Sequence, residues 1–97
     1  MLRLAIIDDE EETRQIMVDF IDWETYGISV IGEASDGFAA YELINTQRPD
    51  IVLIDIQMPG MTGLEVLEKI RQEDVVSPAF IIISGYDDFD FARKALS

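Results

Sequence analysis

Short apolar runs alternate along the chain with longer segments in which apolar residues recur every three or four positions. Runs this short, bounded by polar residues, are typical of parallel strands that are buried on both faces of a sheet. They predict four strands, at about 2–7, 28–34, 51–55 and 79–83.

The longer segments have the periodicity of amphipathic helices. Arg48-Pro49 ends the second of them, because the residue before a proline disfavours the helical conformation. Thr62 and Glu65 form a capping box that opens the third. The helices are predicted near 11–22, near 37–47, after Thr62 and after Asp88. Their apolar stripes are Ile16, Phe20 and Trp23, with Met17 and Ile21 beside them; Ala40, Leu43 and Ile44; Leu64, Leu67 and Ile70; and Phe91, Ala92, Ala95 and Leu96.

Strands that alternate with helices predict right-handed crossovers and an α/β fold, in which a doubly wound parallel sheet lies between two layers of helices. The alternation stops at Ser97, within the fourth predicted helix, and no Gly or Pro marks a helix end there. We therefore expect the domain to be cut at that point rather than finished.

Polar residues stand directly after three of the apolar runs: Asp8 and Asp9 after the first, Asp55 after the third and Ser84 after the fourth. Ligands bind outside the carboxyl ends of the strands in an open parallel sheet, so three carboxylates and a hydroxyl should meet at one edge. Clustered carboxylates repel one another and require a cation, and an oxygen-only set suits Mg²⁺. The Pro59-Gly60 turn would orient the backbone carbonyl of Gln57 as a further metal ligand.

Each of these residues also has an ordinary structural interpretation. Asp9 can be the N-cap of the first helix, with Glu12 reaching back to it. Asp55 can cap the turn that follows it, and Ser84 before Gly85 can be a turn serine. The structural interpretation must then explain why four such residues occur at the ends of strands one, three and four.

Composition excludes several kinds of protein. The 97 residues are enough for one small domain, and a hydrophobic fraction of 48% can supply its core. The absence of Cys and His excludes disulfides, thiolate metal sites and His-based zinc sites. A net charge of −13 opposes nucleic-acid binding. The apolar runs are far shorter than the roughly 18 residues of a spanning helix, so we expect a soluble, cytoplasmic chain without membrane contact.

Three motifs resemble the receiver domain of two-component response regulators. They are Ile6-Ile7-Asp8-Asp9-Glu10, Asp55-Ile56-Gln57-Met58-Pro59-Gly60-Met61-Thr62-Gly63 and Ile82-Ile83-Ser84-Gly85-Tyr86, with Gly32-Glu33-Ala34-Ser35-Asp36-Gly37 and Arg48-Pro49-Asp50 in support. The resemblance covers the whole chain, residues 1–97. It implies a flavodoxin-like sheet with strand order 2-1-3-4 and a fifth strand and fifth helix that are missing here.

The resemblance also implies a role for each site residue. Asp55 would accept a phosphoryl group from a sensor histidine kinase, and Ser84 would hydrogen-bond that group and switch the loop after strand four. Mg²⁺ would be held by Asp9, Asp55 and the Gln57 carbonyl, with Asp8 acting mainly through water. The family's Lys after strand five has no counterpart, because Lys94 lies on the fourth predicted helix.

Further details resemble the YesN-type subgroup, in which the receiver precedes an AraC-type helix-turn-helix output domain. They are Asp22-Trp23, Tyr26-Gly27 and Ser84-Gly85-Tyr86-Asp87-Asp88-Phe89. That output domain is absent from this sequence. The implied function is phospho-acceptor signalling to transcription rather than enzymatic turnover.

Two alternative functions remain at this point. The first is an interaction module that carries out no phosphotransfer and only dimerises, through the apolar edge of strand four or by exchange of segments between chains. The second is a Mg²⁺-dependent phosphatase with an Asp nucleophile. Such enzymes commonly carry a second Asp two residues later as the general acid, and Gln57 occupies that position. A dinucleotide-binding module is disfavoured because no G-x-G-x-x-G follows strand one.

Overall fold

The computed structural model describes residues 1–73 and 77–83 of the chain. Its four strands form one parallel sheet in the order β2-β1-β3-β4, which confirms the predicted topology. The strands are β1 (Leu2–Ile7), β2 (Ile28–Ala34), β3 (Ile51–Asp55) and β4 (Ala79–Ile83), at the predicted bounds.

The helices of the described residues are α1 (Glu11–Phe20), α2 (Gly37–Gln47) and α3 (Gly63–Gln72), with a short 3-10 helix at Trp23–Tyr26. The predicted capping box opens α3: the Thr62 hydroxyl accepts a hydrogen bond from the Glu65 amide, and the Glu65 carboxylate accepts one from the Thr62 amide, each at 3.2 Å. Among these helices, none has the length and apolar character needed to cross a membrane. The predicted fourth helix and Ser84 lie outside the described residues.

The main core lies between one face of the sheet and the helices α2 and α3. It consists of Ala5, Ile7, Ala34, Val52 and Ile54 from the strands, Ala40 and Ile44 from α2, Val66 and Ile70 from α3, and Met58 from the loop between β3 and α3. Leu43 packs against this cluster while remaining partly exposed. The apolar stripes predicted for α2 and α3 are therefore confirmed as core-facing.

The prediction for α1 is wrong in two respects. The helix ends at Phe20 rather than near residue 22, because Ile21 leaves the helical conformation (φ −94°, ψ 126°). The Trp23 indole N–H then donates to the Met17 carbonyl at 2.9 Å and closes the helix end. The predicted apolar stripe is also only partly packed: Met17 and Trp23 are half-buried, whereas Ile16 is 56% exposed and Phe20 is 83% exposed.

Burial on both faces is correct for β1 and wrong for β4. Phe80 and Ile82 pack against the core, whereas Ile81 on the opposite face is 52% exposed. Ile81 pairs in register with the half-buried Leu53 of β3. Of the described helices, α2 and α3 line the core on the Phe80 and Ile82 face, and β4 is the edge strand of the described sheet.

Candidate metal centre

Three carboxylates converge at the carboxyl edge of the sheet. Asp8 follows β1 directly, Asp9 is the next residue, and Asp55 ends the neighbouring strand β3. One carboxylate oxygen from each lies within 4.8 Å of the others. Parallel pairing of β1 with β3 produces this juxtaposition, because it places the carboxyl ends of both strands at the same edge.

Asp8 is the buried member of the cluster and is only 3% exposed. Its amide donates to the Ala34 carbonyl at 3.1 Å, and its carboxylate accepts from the Glu10 amide at 2.9 Å. Burial raises the pKa of the Asp8 carboxyl above its ordinary value of 3.8. The Glu10 amide opposes this shift, while the negative charges of Asp9 and Glu10 add to it.

The structure does not place Asp9 as the N-cap of α1. Glu10 is the N-cap residue, and its own side chain makes no capping hydrogen bond. Instead, the Asp8 carboxylate accepts a hydrogen bond from the Glu10 amide. The acceptor is therefore Asp8, one residue before the Asp9 that the structural interpretation requires. Asp9 is exposed, and one of its carboxylate oxygens lies within 4.8 Å of carboxylate oxygens of Asp8 and Asp55.

Asp55 is half-buried at the start of the loop that leads to α3. The Gln57 amide lies 3.4 Å from its Oδ1, a long hydrogen bond. Gln57 is therefore held close to Asp55, and the role of its carbonyl as a metal ligand stays a prediction. Ser84 lies outside the described residues, so its predicted role is untested.

Close backbone packing fixes the loop between β3 and α3. A Cβ at Gly37 would stand 1.9 Å from the Met61 carbonyl oxygen, so the start of α2 abuts this loop. Gly60 takes a positive φ of 76° beneath the ring of Phe38. These contacts leave the segment that follows Asp55 little room to move against α2.

One pair of residues beside the cluster was missed by sequence reasoning. Arg14 of α1 donates from Nε to the Glu33 carboxylate at 3.0 Å and from Nη1 to the Asp8 carbonyl at 2.8 Å. The two side chains come from α1 and β2, 19 residues apart. No local sequence motif signals such a pair, since it depends on the sheet topology.

The donor set suits a hard divalent cation. Three carboxylates supply only oxygen ligands, and their mutual repulsion is relieved by a positive ion between them. An Asp that is also held at the end of a strand can act as an oxygen nucleophile toward an electrophilic centre next to that ion.

Comparison with known proteins points to one family. Residues 4–97 match the response regulator receiver domain. The chain is similar to the uncharacterized transcriptional regulatory protein YesN of Bacillus subtilis (strain 168), with 41% identity over 98 residues that cover 99% of the chain and 26% of that protein. It spans about a quarter to somewhat over a third (26–37%) of the length of the first curated relatives that it matches.

The chain is also similar in fold to solved structures of response regulators. The REC domain of AraT, a response regulator from Geobacillus stearothermophilus, is 36% identical with a TM-score of 0.88, and the match covers 98% of this chain and 73% of that one. The chain is also similar to a chain of the CheX–CheY–BeF3–Mg²⁺ complex from Borrelia burgdorferi, at 27% identity and a TM-score of 0.81, and the match covers 98% of this chain and 70% of that one.

Proposed function

The chain belongs to the response regulator receiver domain family, and from this premise we propose that it is the phospho-acceptor domain of a transcriptional regulator, with Asp55 as the acceptor. The phosphoryl donor would be a sensor histidine kinase. The observation that carries the proposal is the convergence of Asp8, Asp9 and Asp55 within 4.8 Å at one sheet edge.

Asp55 is the best placed of the three for nucleophilic attack. The Asp8 carboxylate is buried and engaged by the Glu10 amide, so it is held away from an incoming donor. Asp9 is exposed on the loop before α1, whereas Asp55 is half-buried at the end of a strand. Asp55 therefore combines a fixed position with access from solvent.

The proposed transfer uses one carboxylate oxygen of Asp55. That oxygen attacks the phosphorus of a phosphohistidine in line, the new O–P bond forms, and the N–P bond breaks with its electron pair passing to the histidine nitrogen. Bound Mg²⁺ would supply positive charge that offsets the charge of the phosphoryl oxygens. Asp9, Asp55 and the Gln57 carbonyl would hold it directly, with Asp8 acting mainly through water.

The chemistry is acceptor chemistry rather than phosphatase turnover. A phosphatase of the Asp-nucleophile type needs a general acid near the leaving group, and the residue two positions after Asp55 is Gln57, whose amide cannot donate a proton in that way. The modified Asp55 would carry roughly one to two additional negative charges, enough to reset a neighbouring loop. We propose Ser84 as the residue that senses this change for the output domain.

Magnesium titration tests the site. Isothermal titration of the metal-free chain should detect Mg²⁺ binding, and Asp9→Asn and Asp55→Asn should abolish it because each removes a ligand charge. Asp19→Asn is the matched control, since Asp19 is an exposed carboxylate on α1 outside the cluster. Equal affinity in the unmodified chain and the Asp55→Asn variant would contradict the proposal.

A second candidate function is self-association through β4. Ala79–Ile83 is the edge strand of the described sheet, and Ile81 is 52% exposed on it. An apolar edge without Lys or a bulge favours pairing with another chain. A closed two-fold dimer would satisfy that edge, and the net charge of −13 opposes indefinite growth.

A further inference from the structure

A closed ring of hydrogen bonds holds Asp8, the residue that precedes the exposed cluster residue Asp9. The Asp8 amide donates to the Ala34 carbonyl at 3.1 Å, which extends the pairing of β1 with β2 by one residue. The Asp8 carbonyl accepts from Arg14 Nη1 at 2.8 Å, and Arg14 Nε donates to Glu33 at 3.0 Å. Glu33 and Ala34 are consecutive, so the ring begins and ends on β2.

The Arg14 guanidinium is suited to this task by its shape and its burial. It presents several N–H groups in a planar fork, which lets one side chain engage a carbonyl and a carboxylate at once. The Arg14 side chain is 13% exposed and that of Glu33 is 34% exposed, so their ion pair is only partly shielded from water. Gln15 also donates to the same Glu33 oxygen at 2.8 Å, but the link from Glu33 to the Asp8 carbonyl runs through Arg14 and does not include Gln15.

This ring matters because the helix behind it is loosely packed. No residue of α1 is fully buried, so packing alone fixes its position weakly. The loop between β1 and α1 carries both Asp8 and Asp9. Arg14 is therefore the described side chain that connects α1, this loop and β2 in a single set of hydrogen bonds.

We propose that Arg14 is a positioning residue for the metal: its link from Glu33 to the Asp8 carbonyl holds the Asp8–Asp9 loop in the geometry that Mg²⁺ requires. The proposal rests on the magnesium site proposed above. Residues that orient metal ligands from behind are commonly worth a factor of 10 to 100 in affinity.

The direction in which Mg²⁺ affinity changes when Arg14 is substituted distinguishes a positioning role from a purely electrostatic one. A positive charge beside the cluster repels Mg²⁺, so removal of the charge alone should strengthen metal binding. Loss of positioning should weaken it. Arg14→Gln removes both the charge and the fork, and we expect Mg²⁺ affinity to fall about tenfold. Arg14→Lys retains the charge without the planar fork and should also weaken binding.

The test is isothermal titration of the full 97-residue chain with Mg²⁺. Arg14→Gln, Arg14→Lys and Glu33→Ala are compared with Gln15→Ala, the matched control that loses a Glu33 contact but none to Asp8. We expect the control to stay within about twofold of the unmodified chain. The double variant Arg14→Gln/Glu33→Ala should bind Mg²⁺ no more weakly than Arg14→Gln alone, because Glu33 acts through Arg14.

A second readout needs no metal. Amide exchange in EDTA, followed by NMR, should accelerate about tenfold at Asp8 in Arg14→Gln and stay unchanged at Val52 of β3. An equal acceleration at both amides would reveal a general loss of stability and overturn the inference. The inference would also be overturned if Arg14→Gln bound Mg²⁺ as tightly as the unmodified chain, or more tightly.

The metal site and the role of Arg14 can fail separately. If Arg14→Gln binds normally but Asp9→Asn loses binding, the proposed metal site stands and only the role of Arg14 is wrong. If the unmodified chain does not bind Mg²⁺, both proposals are wrong.

Discussion

Gly63, the first residue of α3, lies against the backbone of Asp55 so closely that a Cβ at position 63 would stand 2.3 Å from the Asp55 carbonyl oxygen. The Gly63 amide also donates to the carbonyl of Ile56 at 2.9 Å. The start of α3 thus presses directly on the strand end that carries the proposed acceptor. A side chain larger than hydrogen at position 63 would have to displace backbone there.

Gly63→Ala should therefore lower the free energy of unfolding by about 1–3 kcal/mol, despite the higher helix propensity of Ala. Gly32→Ala is the matched control. Its Cβ would stand 2.7 Å from a terminal methyl of Leu43, a flexible group that can move. Urea unfolding of both variants should give the larger loss at position 63, and an equal or larger loss at position 32 would contradict this interpretation of the contact.

The buried Asp8 carboxyl predicts an unusual pH dependence in the absence of metal. Its folded pKa is raised above 3.8, so the folded state binds the proton more tightly than the unfolded state does. The contribution of Asp8 to stability therefore falls as the pH rises from about 3.8 through the higher folded pKa, and below that window no penalty remains.

Asp8→Asn should remove this penalty while keeping an oxygen acceptor for the Glu10 amide. In EDTA we expect the variant to be more stable than the unmodified chain at pH 7, with a smaller gain near pH 4. Urea unfolding at both pH values measures the difference, with Asp19→Asn as a surface control. A gain of the same size at both pH values would show that the cause is something other than titration.

The β4 edge predicts a concentration-dependent dimer. Sedimentation at micromolar concentration should detect it, and Ile81→Lys should shift the chain toward monomer, because a charged side chain opposes pairing at a sheet edge. Tyr26→Ser is the matched control, since Tyr26 is 72% exposed and follows α1 far from β4 in the sheet order. A monomeric unmodified chain would remove the second candidate function.

Sequence patterns predict the strands and the two core-facing helices well, because positions that are buried against the sheet are occupied by apolar residues. The apolar runs of β1 and β3 and the stripe of α3 are examples. The stripe of α1 was misleading, since periodicity identifies an apolar side without indicating what covers it. Phe20 keeps helical spacing and is nevertheless 83% exposed.

At the site, the sequence predicted which carboxylates meet but not how they are held. Asp8 and Asp9 follow one parallel strand and Asp55 ends another, and parallel strands end at the same edge of a sheet. The sequence alone therefore groups these three residues. Asp8 rather than Asp9 accepts the hydrogen bond from the amide of Glu10, the N-cap residue, and adjacent acids in one run do not indicate which of them will do so. The Arg14–Glu33 ion pair depends on a contact between α1 and β2.

The central claim is that Asp55 accepts a phosphoryl group in a Mg²⁺-dependent reaction, and direct mapping of the modified residue tests it. The chain is incubated with a small-molecule phosphoryl donor, with Mg²⁺ or with EDTA, and the product is trapped by borohydride reduction and located by mass spectrometry. We predict modification at Asp55 in Mg²⁺ only, and none in Asp55→Asn. Modification at Asp8 or Asp9 instead, or no Mg²⁺-dependent modification of the chain, would contradict the account.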